Sequence, residues 1–200
     1  MTKVKRTCQK YNIHHSISYI CTNIHYSTTM NFTLRPWNNG DIGSLVKYAN
    51  NKNIARYLTN AFPHPYTHAD GEKFIKLFSQ DNPTRVFAID VENEAVGSIG
   101  IFPQTDVHCK NAETGYWLAE PFWGKGIVTA AIKQMVEYGF NTFDIDRIFA
   151  RPFGSNLASQ RVLVKAGFKP EARFEKAIFK NGIYEDECYY AIRKNEMIKP

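Results

Sequence analysis

Nowhere in the 200-residue chain do eighteen apolar residues run together, which excludes an ordinary membrane-spanning helix. Cysteine is scarce and widely spaced. Cys8, Cys21, Cys109 and Cys188 lie 13, 88 and 79 residues apart, so neither a CxxC redox pair nor a zinc-ribbon spacing exists. The thiols read as reduced groups of a cytoplasmic protein. The first thirty residues lack the unbroken apolar segment and small-residue cleavage site of a secretory signal. Two phosphate-binding signatures are also missing, GxxxxGK[ST] and GxGxxG. His14, His15 and His25 have no cysteine or carboxylate partners at ligand spacing, and no metal is expected.

The chain has apolar residues in plenty. With 44% hydrophobic and 14% aromatic residues it can bury a core, and its length fits one domain. The formal charge of +6 is unevenly spread. Lys3, Lys5, Arg6 and Lys10 fall in residues 1–29, which hold no acid, so the rest carries only +2. A near-neutral body argues against nucleic acid as a partner, because phosphate-coating surfaces concentrate Lys and Arg on the folded domain. Residues 1–29 show no sustained period of 3.6 or 2 and read as a basic, poorly ordered extension before a domain of residues 30–200. Their composition also suits an organelle-targeting leader, and Met30 would serve as a second start.

From Met30 onward the pattern becomes regular. Phe32 to Leu34 alternates as a strand, and Asp41 reads as the cap of a helix burying Ile42, Leu45, Val46 and Ala49. Thr67 and Asp70 form a capping-box signature before Phe74, Ile75 and Phe78. Three strands follow, at 85–90, 95–102 and 113–119, the first two joined by a polar turn. A long helix then presents Ile132, Met135, Val136, Phe140 and Phe143 at helical spacing, a stripe that must lie on a sheet. After a strand at 147–151, Ser155-Asn156 starts a helix that Gly167 stops. Asn181-Gly182 is the turn of a final hairpin.

The long helix opens in the run Trp123-Gly124-Lys125-Gly126-Ile127-Val128-Thr129. A helix N-terminus exposes unsatisfied N–H groups at a positive dipole end, and glycines let an anion approach the backbone. Here the chain resembles the GCN5-related N-acetyltransferase (GNAT) superfamily, and within it the branch of ribosomal-protein N-terminal acetyltransferases. WGKGIVTAA is similar to the pyrophosphate segment of that branch, with Gly126 at the matched glycine and Val128 as a departure. ETGYWLAEPFWGKG, RPFGSNLASQRVLVKAGF and NIARYLTNAFPHPYTHADGEKFI resemble its fourth strand and turn, its Asn-x-x-Ser helix and its acceptor region, in the expected order.

The resemblance implies an α+β fold: a twisted, mixed, mostly antiparallel sheet of six to seven strands, flanked by about four helices, with a cleft where strands 4 and 5 splay. It implies acetyl-CoA as cosubstrate and an amine acceptor, either a protein N-terminus or a small molecule. By the same resemblance Gly124, Lys125, Gly126, Ile127, Val128 and Thr129 meet the phosphates and Trp123 anchors the turn. Glu113 takes the place of a proton-accepting carboxylate. Asn156 and Ser159 match the Asn-x-x-Ser segment, with the Ser159 hydroxyl on the sulfur. Leu163 stands where many relatives carry a tyrosine. Phe62 and Tyr66 form a wall of the acceptor site. A free α-amine of pKa near 8 is neutral in about one molecule in ten at pH 7, and a lysine in about one in 2,500, so an N-terminal acceptor demands less of the base. Val128 and Leu163 keep open an alternative, a non-catalytic acyl-CoA-binding module.

Overall fold

The computed structural model describes residues 7–13, 16–22 and 30–197. Within the basic leader, β1 (Thr7–Ile13) and β2 (Ser16–Thr22) pair as an antiparallel hairpin separate from the main sheet. Treating 1–29 as an extension to the folded body remains our proposal.

The body is a seven-stranded sheet in the order β3-β4-β5-β6-β7-β9-β8. Its strands are β3 (Thr33–Pro36), β4 (Val86–Val91), β5 (Glu94–Pro103), β6 (Asn111–Leu118), β7 (Arg147–Ala150), β8 (Lys169–Lys180) and β9 (Ile183–Arg193). All neighbours are antiparallel except β6 and β7. Four helices have eight or more residues: α1 (Ile42–Ala49), α3 (His68–Phe78), α4 (Ile127–Thr142) and α5 (Leu157–Lys165). Two single turns, α2 (Lys52–Ala55) and α6 (Lys194–Met197), complete the set among the described residues. The expected sheet is therefore present, and α2 is an addition, too short to show a period.

Local chemistry explains most boundaries. Thr67 caps α3 reciprocally with Asp70, as its spacing predicts. Glu92 and Asn93, both at positive φ, make the tight β4–β5 turn, and Asn181 and Gly182 do the same for β8–β9. Asp41 departs from expectation. Its side chain makes no bond to the start of α1; instead it accepts from Arg35 at 2.7 Å and from the Asn38 N–H at 3.0 Å. Asn38 caps the preceding turn. A guanidinium arriving from β3 out-competes a neutral backbone donor for a carboxylate.

Two cores sandwich the sheet. Helix α4 buries Ile127, Ala131, Ile132, Met135, Val136, Gly139 and Phe140 against Ile99, Ile101, Ala112, Leu118 and Ile148. On the other face α1 and α3 press Leu45 and Ile75 against Val86, Ala88 and Trp117, with Trp37 beside them. Strand alternation therefore gives β6 two characters: Ala112, Tyr116 and Leu118 look toward α4, while Glu113 and Trp117 look the other way. The seating of α4 depends on Gly139, where an added Cβ would come within 2.3 Å of the Ile101 side chain and 3.1 Å of Ile148. Gly139→Ala is expected to lower unfolding free energy by about 1–3 kcal/mol through overpacking, read as a shifted denaturant midpoint at unchanged slope.

Candidate active site

The parallel ladder between β6 and β7 is short. It runs from Asn111↔Arg147 to Glu113↔Phe149, whereas β6 continues to Leu118. Beyond Glu113 the two strands part, because β7 stays with β9 up to Ala150↔Tyr190. The expected cleft between the fourth and fifth strands of the body lies here. Along β6, Asn111 accepts from Gln104 and Ala119 donates to Val96, so odd-numbered backbone groups bond to β5 and even-numbered ones face the gap. Among the described residues no strand pairs with the Tyr116 backbone on that side. The Leu118 carbonyl there accepts the Trp123 indole N–H at 2.6 Å.

That bond ties the glycine turn to the cleft. Gly124 and Gly126 have φ of 74° and 79°, the left-handed conformation that glycine adopts without a Cβ penalty. Gly126 is the N-cap of α4 and supplies no side-chain cap. The first bond of the helix is Ala130 N–H to Gly126 O, 3.1 Å. The N–H groups of Gly126, Ile127, Val128 and Thr129 find no acceptor among the described residues. Four bare donors at a positive helix end, on a turn where Gly124 and Gly126 carry no side chain, fit a pyrophosphate. Val128 packs its side chain against the main core and leaves its N–H in this set. Lys125 holds its ammonium 5.1 Å from the centre of the Phe122 ring.

On the Trp117 face, Glu113 meets Arg151. Nε and Nη2 of Arg151 donate to its two oxygens at 3.0 and 2.9 Å, and Glu187 stands 3.5 Å from Nη1. This carboxylate pairing raises the proton affinity of Arg151 and keeps the guanidinium charged. A carboxylate has about four lone-pair sites, so a bidentate arginine leaves Glu113 able to accept from an amine or a water. Glu113, His108, Asn111, Phe149 and Tyr189 line a cavity of about 280 Å³ on this face.

On the α4 face, Asn156 caps α5 by accepting the Ser159 N–H at 3.1 Å, and the Ser159 Oγ lies 2.7 Å from the Tyr116 hydroxyl. Burial pushes the Tyr116 phenol up to about 12, against an opposing pull from the Ser159 hydrogen bond. Leu163 is fully buried, so the phenol near Ser159 comes from the strand instead of the helix.

The acceptor wall is aromatic. Phe62 packs on Tyr66 and Trp117 with ring centres 5.1 and 6.1 Å apart. Tyr66 is buried behind it, its N–H on the Asn50 side chain and its phenol pushed up to about 12 by burial. It supports Phe62 and presents little surface of its own. Lys180, near the β8–β9 turn, donates to the carbonyls of Ala55 and Leu58 and holds that hairpin to the acceptor segment. Arg151 and Tyr116 were not foreseen as site residues. Tyr116 sits inside the GYWL run, but its partner is 43 positions away. Among the described residues no group of three or more His, Cys, Asp or Glu could hold a metal, and no helix is long and apolar enough to cross a membrane.

The family model for the acetyltransferase (GNAT) domain matches residues 31–169. The chain is 34% identical over 87 residues to YdaF of Bacillus subtilis, by name a ribosomal N-acetyltransferase, a match spanning 44% of this chain and 48% of YdaF. With YnaD of the same organism, an uncharacterized N-acetyltransferase, it is 28% identical over 84% of this chain and 97% of YnaD. Among solved structures, the microcin C7 self-immunity acetyltransferase MccE in complex with acetyl-CoA and AMP is similar with a TM-score of 0.70 at 27% identity, covering 81% of this chain and 92% of that one.

Proposed function

The chain belongs to the GNAT acetyltransferase family, and from that premise we propose that it transfers an acetyl group from acetyl-CoA to a primary amine by direct attack of the neutral amine. The observation that carries this reading is the start of α4: four N–H groups with no acceptor among the described residues, beside the opened edge of β6. Bound there, acetyl-CoA supplies the acetyl group as a thioester. Gly126, Ile127, Val128 and Thr129 hold the pyrophosphate through their N–H groups, with Gly124 and Lys125 completing the turn. Trp123 fixes that turn to Leu118. Asn156 orients the first turn of α5, and Ser159 points a hydroxyl into the cleft. Glu113, held by Arg151, accepts the proton that the amine must lose. Phe62, backed by Tyr66, lines the approach.

The acceptor class is a protein N-terminal α-amine or a small-molecule amine, and we favour the α-amine. An α-amine asks less of any base, because about a tenth of it is already neutral at pH 7. The test is thiol release by the full chain with acetyl-CoA and a panel of free-N-terminus peptides, polyamines, amino acids and aminoglycosides. Release with peptides first is the expected result. Release with none of them would overturn catalysis, and acetyl-CoA binding without release would identify a binding module.

A further inference from the structure

On the α4 side of β6 two residues carry hydroxyls, and they are used differently. Thr114 donates to the Gly100 carbonyl at 2.9 Å and is spent inside the sheet. Tyr116 crosses to α5, where its oxygen lies 2.7 Å from Ser159 Oγ and 3.5 Å from the Ser159 carbonyl. Because Asn156 fixes the Ser159 N–H, the first turn of α5 is set, and the open question is where the serine proton points. A hydroxyl has one proton and two acceptor sites. If Ser159 donates to Tyr116, the phenol is left with a carbonyl at the limit of hydrogen-bond range. If Tyr116 donates to Ser159, the short contact is made by the more acidic hydroxyl, and the serine proton is freed. The second arrangement makes the short bond with the stronger donor and leaves the serine proton available to a ligand in the cleft.

We propose that Tyr116 is a positioning residue: its O–H donates to Ser159 Oγ and turns the serine proton into the β6–β7 cleft, toward a sulfur acceptor. This rests on the acetyltransferase reading, which places a thioester in that cleft. The hydroxyl pair transfers no proton. Tyr116 keeps its own, and Ser159 hydrogen-bonds the electron pair left on sulfur when the C–S bond breaks and the N–C bond forms. Glu113 takes the proton of the ammonium form before attack, and the second proton, released from nitrogen as the N–C bond forms, passes to the thiolate, so that a neutral amine and a thioester give an amide and a thiol. With its phenol pushed up to about 12, Tyr116 is a donor throughout the neutral range.

The test compares the binding of CoA and desulfo-CoA by calorimetry from below to above the thiol pKa. It uses the full chain and its Tyr116→Phe and Ser159→Ala variants, each checked for an unchanged melting curve. The wild type is expected to prefer CoA increasingly as the thiol ionises, because a donor in the cleft favours the thiolate, and each variant is expected to lose about tenfold of that preference. The double variant should lose no more than Ser159→Ala alone, since the two hydroxyls act as a unit. Full retention of the preference by Tyr116→Phe would overturn the proposal while leaving the acetyltransferase reading intact. Should the wild type bind neither molecule, that reading fails and the proposal with it. A Tyr116→Phe chain that does not fold is replaced by Ser159→Ala, for which an unchanged preference is equally fatal.

Discussion

Replacing Glu113 by glutamine is expected to lower kcat by about 10²-fold, in the range typical of a lost general base, while acetyl-CoA affinity stays within about twofold. Glu113 lies on the Trp117 face of β6, where the ladder with β7 ends, while the phosphate cradle belongs to α4 on the opposite face. Glutamine keeps the shape and loses the charge. It also sets an amide N–H₂ against the Arg151 donors, so part of the loss comes from a displaced guanidinium still held near Glu187. A pH profile separates the two effects. If Glu113 removes a proton from the amine, the deficit shrinks as pH rises past the α-amine pKa near 8, where the acceptor loses that proton unaided. Displacement of Arg151 alone would leave the deficit constant with pH. An unchanged kcat would remove Glu113 from the mechanism.

The second large effect is expected at Gly126. Valine there must adopt a φ of 79°, a conformation that costs an L-residue about 1–2 kcal/mol and is a genuine outlier for a β-branched one. The chain relieves that strain by rotating the turn, which swings the N–H groups of Gly126, Ile127 and Val128 out of convergence. Hydrogen bonds to a charged group contribute roughly 1.5–3 kcal/mol each, so losing one or two raises the acetyl-CoA Kd by about 10²-fold. Turnover at saturating acetyl-CoA should fall much less. Titration calorimetry checks the first claim and saturation kinetics the second. An unaltered Kd would show that the start of α4 does not hold the phosphates.

Features with local causes were legible in the sequence. The Thr67–Asp70 box, the Asn181-Gly182 turn, the stop at Gly167 and the apolar stripe of α4 from Ile132 to Phe140 are each written within a few residues and stand where their spacing predicts, while Phe143 falls just past the helix as its extended C-cap. The expected cap at Asp41 failed because Arg35 and Asp90 enter from two strands and convert a capping position into part of an ion-pair cluster. Strand order was equally hidden. Nothing local says that β9 inserts between β7 and β8, although the hairpin joining the last two strands is plain. The site divides along the same line. The cradle is contiguous and could be located, whereas Arg151 is 38 residues from Glu113 and Ser159 is 43 from Tyr116. Those pairs exist only because β6 is followed by α4 and a parallel return strand, which brings distant segments to the two sides of one cleft.

The most direct measurement incubates the full chain with acetyl-CoA and a peptide bearing a free N-terminus, then quantifies released thiol and N-acetylated peptide together. The expected result is one acetylated α-amine for each thiol released, with Gly126→Val active only at raised acetyl-CoA. Saturable acetyl-CoA binding with no acetylated amine from any class of acceptor would contradict an acetyltransferase.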